Sequence, residues 1–179
     1  MCWQAAVRGA LIARKAAGLD RPDWLELAGN IRRDIVEHGW SDRAGAYTAF
    51  YGSDEIDAAS LWVVLGGLLP PDDPRAVSTV RAVQRALQEG PTVFRYRNSD
   101  GLPGVEGGFH ICAFWLVEAL WMIGARSEAS DLFARITETI PPTGLLSEQY
   151  DPRTGVALGN FPQAYSHLGL INAAVRLSG

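Results

Sequence analysis

His110-Ile111-Cys112-Ala113-Phe114-Trp115-Leu116-Val117-Glu118-Ala119-Leu120-Trp121-Met122-Ile123 is the stretch on which the fold turns. It has no glycine or proline and a single charge, Glu118. It reads as the body of a helix over residues 106–123 that is apolar on nearly every face, and such a helix belongs in an interior. A second helix of the same kind is expected from about residue 54, through Ile56, Leu61, Trp62, Val63, Val64 and Leu65. Three others are one-sided. One is capped by Asp20, has Pro22 in its first turn and carries Trp24, Leu25, Leu27, Ile31, Ile35 and Val36 on one stripe. Another opens at Asp73-Pro74 and buries Val77, Val80, Val83 and Leu87, and a third opens at Ser127 and buries Leu132, Phe133 and Ile136. One-sided helices form an outer layer over the apolar ones.

Two more helices complete the pattern: residues 1–17, with Trp3, Val7, Leu11 and Ile12, and a last one capped by Asn160 with Phe161-Pro162 in its first turn, ending near Leu177. The connections alternate in length. Those near residues 18–21, 70–73 and 124–126 are short, as within helical hairpins. Those near 39–54, 90–105 and 141–159 are long, and each precedes an inner helix. Gly39, Gly90 and Gly144, read as ends of the outer helices, recur at about fifty-residue spacing, a degenerate hairpin-plus-loop repeat. The three long loops therefore emerge on one face, where long ordered loops usually carry function. The expected fold is all-α: a curved two-layer array of about seven helices, part of a ring, with its chemistry on one rim.

Composition narrows the function. A chain of 179 residues with 47% apolar content supports one sizeable core. A net charge of −4 with scattered basic residues argues against nucleic acid or an anionic membrane surface. No apolar run reaches the ~18 residues of a membrane span; the longest, residues 61–71, reads as core. No secretory leader is evident and only two cysteines occur, Cys2 and Cys112, so the expected setting is cytoplasmic, with Cys112 a small buried hydrophobe. No His/Cys/Asp grouping has ligand spacing, and no phosphate-binding glycine loop or serine elbow is present, so neither metal nor cofactor is expected.

Each long loop has a bland and a functional reading. In Tyr51-Gly52-Ser53-Asp54-Glu55-Ile56-Asp57, Ser53 or Asp54 is either a helix cap or part of a sugar-facing rim on which Tyr51 offers a stacking face. In the second loop Arg95 and Tyr96 either sit on a short extended edge, residues 92–97, or bind a hydroxyl-rich ligand beside the acidic, glycine-rich turn that follows. Glu106 is either a first-turn helix acid or part of that edge. In the third, Glu148 lies between apolar Leu145-Leu146 and aromatic Tyr150, either solvated and inert or placed for acid/base work. His167, His110 and His38 read as packed or hydrogen-bonded core groups.

Taken in order, Tyr51 to Ala58, Leu68 to Arg75, Glu106-Gly107-Gly108-Phe109, Cys112 to Leu120 and Leu145 to His167 resemble the C-terminal portion of glycoside hydrolase family 15, the glucoamylase and trehalase-like enzymes. The resemblance runs the length of the chain, residues 1–179, as part of one catalytic domain. It implies an incomplete (α/α)6 toroid and an inverting hydrolase of α-linked glucosides. Ser147-Glu148-Gln149 matches the family's base motif, so Glu148 would be the general base. Arg95 and Tyr96 match a substrate-binding loop, and Glu106 to Phe109 a further sugar-contacting edge. The family's general acid lies in a Trp-Glu motif shortly before the helix that corresponds to residues 1–17. That motif is not found, and Trp24-Leu25-Glu26 lies in an outer helix. The expectation is a chain carrying the base without the acid, with the N-terminal β-sandwich and early helices absent, and inactive or weak alone. It would either self-associate or pair with a separate N-terminal half. The alternative reading is a non-catalytic α/α scaffold that binds a sugar or a protein partner.

Overall fold

In a computed structural model, residues 1–98 and 106–179 are described. Seven α-helices appear among them: α1 Cys2–Ala17, α2 Pro22–His38, α3 Trp62–Leu65, α4 Pro74–Leu87, α5 His110–Met122, α6 Arg126–Glu138 and α7 Ala164–Ser178. A 3-10 turn, Ala58–Leu61, leads directly into α3. The long connections carry two-residue strands: β1 Trp40–Ser41 pairs antiparallel with β2 Ala46–Tyr47, and β3 Gln88–Glu89 with β4 Thr92–Val93. A three-stranded strip of β5 Gly108–Phe109, β6 Gln149–Tyr150 and β7 Ala157–Leu158 joins the second loop to the third.

The two-layer reading holds. In α5, Cys112, Ala113, Phe114 and Leu116 to Leu120 are all buried, as a helix without a polar face requires. It packs against α7, α6, α4, α3 and the 3-10 turn. Arg8 of α1, Trp62 of α3, Glu118 of α5 and Arg176 of α7 line one concave hollow of about 470 Å³, so these four helices form the inner layer. Glu118 is 8% exposed and accepts a 3.0 Å hydrogen bond from Arg176 Nε, which gives the buried charge its counter-ion. In the outer layer, Arg81 of α4 and Glu128 of α6 meet in a two-point ion pair at 2.6 and 2.8 Å.

Several expected boundaries move. Arg21, not Asp20, precedes α2 and gives no side-chain cap; Pro22 at the first helical position makes a cap less necessary. The third helix begins at Ala58 and not near Asp54. Asp57 supplies the cap, accepting from Ala59 N at 2.7 Å, whereas the Asp54 carboxylate is already engaged by Ser41 and Arg43. The fifth begins at His110 and not at 106, because Gly108 and Phe109 are drawn into β5. The last begins at Ala164, because Asn160 is committed elsewhere. Gly39 does close α2, but Gly90, at φ 60°, turns the β3–β4 hairpin, and Gly144 lies beyond the end of α6.

Candidate active site

The three long loops lie on one rim, stitched together by backbone hydrogen bonds. The first meets the second where Ala58 N donates to Arg95 O at 2.8 Å. Within the second, β5 crosses close over β4: a Cβ added at Gly108 would fall 2.4 Å from Thr92 Cβ, so only glycine fits. The second meets the third through β5 and β6, where Phe109 pairs with Gln149. Gly107 N donates to Gln149 Oε1 at 2.9 Å and His110 N to Glu148 O at 3.2 Å.

Glu148 is half-buried in this strip, and its backbone is fixed on both sides. Its N donates to Asn160 O at 2.9 Å. Upstream, Gln163 N donates to Leu146 O at 2.8 Å, Leu146 N to His167 Nε2 at 3.3 Å, and Ser166 Oγ to Ser147 O at 2.7 Å. His167 Nδ1 lies 2.7 Å from Gln163 O. A ring that accepts at Nε2 and donates from Nδ1 is the neutral tautomer. The first turns of α7 thus hold the segment before Glu148, and the start of α5 holds it from the other side.

The Glu148 carboxylate is bound through one oxygen. Oε2 accepts from Asn160 N at 3.1 Å and from Asn160 Nδ2 at 2.9 Å. Among the described residues, Oε1 accepts no hydrogen bond. Gly159, at φ 73°, passes so close that a Cβ there would sit 2.7 Å from Oε2.

The structure brings some of the other expected site residues to this rim. Phe109 is paired beside Glu148 in the strip. Arg95 and Glu106 are exposed, and together with Asp57 they act electrostatically on the Cys112 thiol in the first turn of α5. Loops one and two therefore share one charged neighbourhood. The thiol is pushed up to about 12, first by burial, then by Asp57 and Glu106, with Arg95 opposing. The Arg95 guanidinium lies 5.0 Å from the Tyr96 ring centre. Arg97 turns away, stacking on Phe94 and bonding Glu89 at 3.0 Å. The acidic, glycine-rich turn that follows, Ser99 to Val105, lies outside the described residues. Tyr51 is drawn toward α2 instead: its hydroxyl donates to Asp34 at 2.7 Å, and burial and that carboxylate push it up to about 12. Its ring remains half exposed.

The histidines divide. His110 is buried, and desolvation, with His167 adding, holds its imidazole down at about 4. His167 is hydrogen-bonded as expected of a core group. His38 is not a core group: it is exposed, 3.8 Å from Asp34 and edge-on to Tyr51, because it sits on the outer face of α2. No cluster of three or more His, Cys, Asp or Glu side chains placed to hold a metal occurs among the described residues. The residue that sequence reasoning misplaced is Asn160, read there as a cap. The Gly159-Asn160 pair is a turn signal, and it was the clue against a helix start at that point.

Comparison with known proteins bears on the family and the fold. The family model for glycosyl hydrolases of family 15 matches residues 1–175. A trehalase of Mycobacterium tuberculosis is 46% identical over 99% of this chain, and one of Thermoplasma volcanium 35% over 99%. The chain covers 26% and 29% of those two proteins, so it spans about a quarter of the length of the curated relatives it matches. Among solved structures, a glycosidase variant in complex with glucose superposes at a TM-score of 0.83, 23% identical, covering 98% of this chain and 50% of that one. A family 15 glucoamylase from Hypocrea jecorina gives 0.75 at 14% identity, covering 99% and 41%. At such identities the structural likeness speaks for the (α/α)6 fold alone.

Proposed function

The chain belongs to glycosyl hydrolase family 15, and from that premise we propose that it supplies the base half of an inverting active site for α-linked glucosides, trehalose foremost. The observation that carries the proposal is the Glu148 carboxylate. It is fixed in backbone and in one oxygen on a rim built from three loops, and its other oxygen has no hydrogen-bond partner among the described residues. A general base needs that combination of fixed position and unoccupied lone pairs. The curated relatives being trehalases favours trehalose over other glucosides.

In the proposed reaction Glu148 takes a proton from a water whose oxygen bonds to the anomeric carbon. The glycosidic C–O bond breaks, its electron pair goes to the leaving oxygen, and a carboxylic acid protonates that oxygen from the opposite side. The two carboxyl groups of such a pair lie about 6.5–9.5 Å apart to admit the water. Arg95, Glu106, Phe109 and Tyr96 are assigned to sugar contacts, and the exposed face of the Tyr51 ring to stacking. The acid is assigned to residues outside this chain. Residues 1–179 are accordingly read as the C-terminal part of one (α/α)6 catalytic domain, inactive or weak alone. Apolar side chains left exposed on α7 (Leu168, Ile171, Val175) and α1 (Leu11, Ile12) are read as the faces that the rest of the ring covers.

A hybrid in which residues 1–179 replace the matching quarter of the Mycobacterium tuberculosis trehalase tests this. The hybrid should hydrolyse trehalose, the isolated chain should not, and Glu148→Gln should cut the hybrid's kcat by roughly 10²–10⁴-fold. Turnover by the hybrid that survives Glu148→Gln would overturn the assignment of the base.

A further inference from the structure

The carboxylate of Glu148 is not symmetric. Asn160 sends two N–H donors, its own backbone and its side-chain amide, onto the same oxygen, Oε2. Gly159, the residue before Asn160, passes so close that an added Cβ would lie 2.7 Å from that oxygen and 3.0 Å from Glu148 Cβ. Among the described residues nothing donates to Oε1, which keeps its lone pairs. We propose that Asn160 is a positioning residue, which fills Oε2 so that Oε1 alone faces the nucleophilic water and takes its proton. This rests on Glu148 being the base, and extends that reading from the residue to the atom.

A carboxylate on a flexible side chain rotates about its last torsion, which is broad and roughly two-fold, and so presents either oxygen. Two charge-assisted hydrogen bonds to one oxygen remove that freedom. Both donors come from a single residue whose own carbonyl accepts the Glu148 N–H at 2.9 Å, so carboxylate and clamp move as one unit. The gain is orientation ahead of reaction, which acts on the chemical step and not on sugar binding. In the step itself, one water O–H bond breaks and its proton goes to Oε1. The water oxygen bonds to the anomeric carbon, and the leaving oxygen takes the glycosidic electron pair and a proton from the general carboxylic acid.

The same trehalase hybrid provides the test, with trehalose as substrate. Asn160→Ala should lower kcat about 10- to 100-fold and leave KM within about twofold. The isosteric Asn160→Asp, which replaces the amide donor by a second carboxylate oxygen beside Oε2, should lower kcat further at unchanged KM. Asn160→Ser, which keeps a short donor, should recover part of the loss. Thermal melts report whether each variant is folded, and Asn160→Asp stands in should Asn160→Ala not be. An unchanged kcat in Asn160→Ala or Asn160→Asp, or a loss that appears equally in KM, would overturn the positioning role. Glu148→Gln in parallel separates the two claims. Loss there with none at Asn160 removes only this inference, whereas activity retained in Glu148→Gln removes the base itself.

Discussion

His110 is the residue whose environment has the clearest measurable consequence. Burial holds its folded pKa near 4, below the 6.5 of a free imidazole. Above pH 6.5 the ring is neutral in folded and unfolded chains alike and contributes nothing to the balance. Between 6.5 and 4 the unfolded chain binds a proton that the folded chain refuses. Stability is therefore lost progressively as pH falls through that window, by about 3 kcal/mol in full. Carboxylates held low by their partners, such as Asp54 with Ser41 and Asp151 with the Arg153 amide, add their losses further down. Urea midpoints at pH 6.5 and 5 should thus fall in the wild type and stay level in His110→Leu; parallel curves would contradict the reading. The loss also has a place: the backbone N of His110 donates to Glu148 O, so the ring sits where α5 joins the loop that carries Glu148.

At the scale of elements, the contact between α5 and α7 positions that loop, and it depends on Gly169. A Cβ at Gly169 would lie 2.9 Å from Phe114 Cδ2 and 3.0 Å from Ile111 Cδ1. The two helices approach closely because nothing stands between them there. Gly169→Leu should destabilise the fold by about 1–3 kcal/mol through overpacking, read as a lowered urea midpoint. An unchanged midpoint would show that the helices are not in register at that position. The helices themselves were legible in the sequence, because apolar residues at 3.6-residue spacing announce them and a helix apolar all round announces the interior. The rim was legible only as long loops. Two-residue strands such as β5 and β6 are too short to show a period, and they shifted the expected start of α5 by four residues. Asp54 and Asn160 misled for a related reason. Both have the side chain of a cap, and both spend it on a tertiary partner, Ser41 and Arg43 in one case and Glu148 in the other.

At the scale of the whole molecule, four of the seven helices among the described residues, α1, α3, α5 and α7, turn their inner faces to a hollow lined by Arg8, Glu118 and Arg176. Glu148 was legible as a candidate because its flanking residues carry a family motif. The oxygen that Asn160 occupies was not, since a partner twelve positions away follows from the fold of the loop and not from local pattern. In the proposed function the helical array brings Glu148, as base, to an active site completed by other residues. Chemical rescue measures it most directly. In the trehalase hybrid, Glu148→Ala leaves a gap in place of the carboxylate, and azide, a nucleophile that needs no deprotonation, can attack the anomeric carbon in place of the water. Azide should restore trehalose cleavage in Glu148→Ala and yield the β-configured glucosyl azide. Cleavage by Glu148→Ala without azide at the wild-type rate, or an azide product of α configuration, would contradict it.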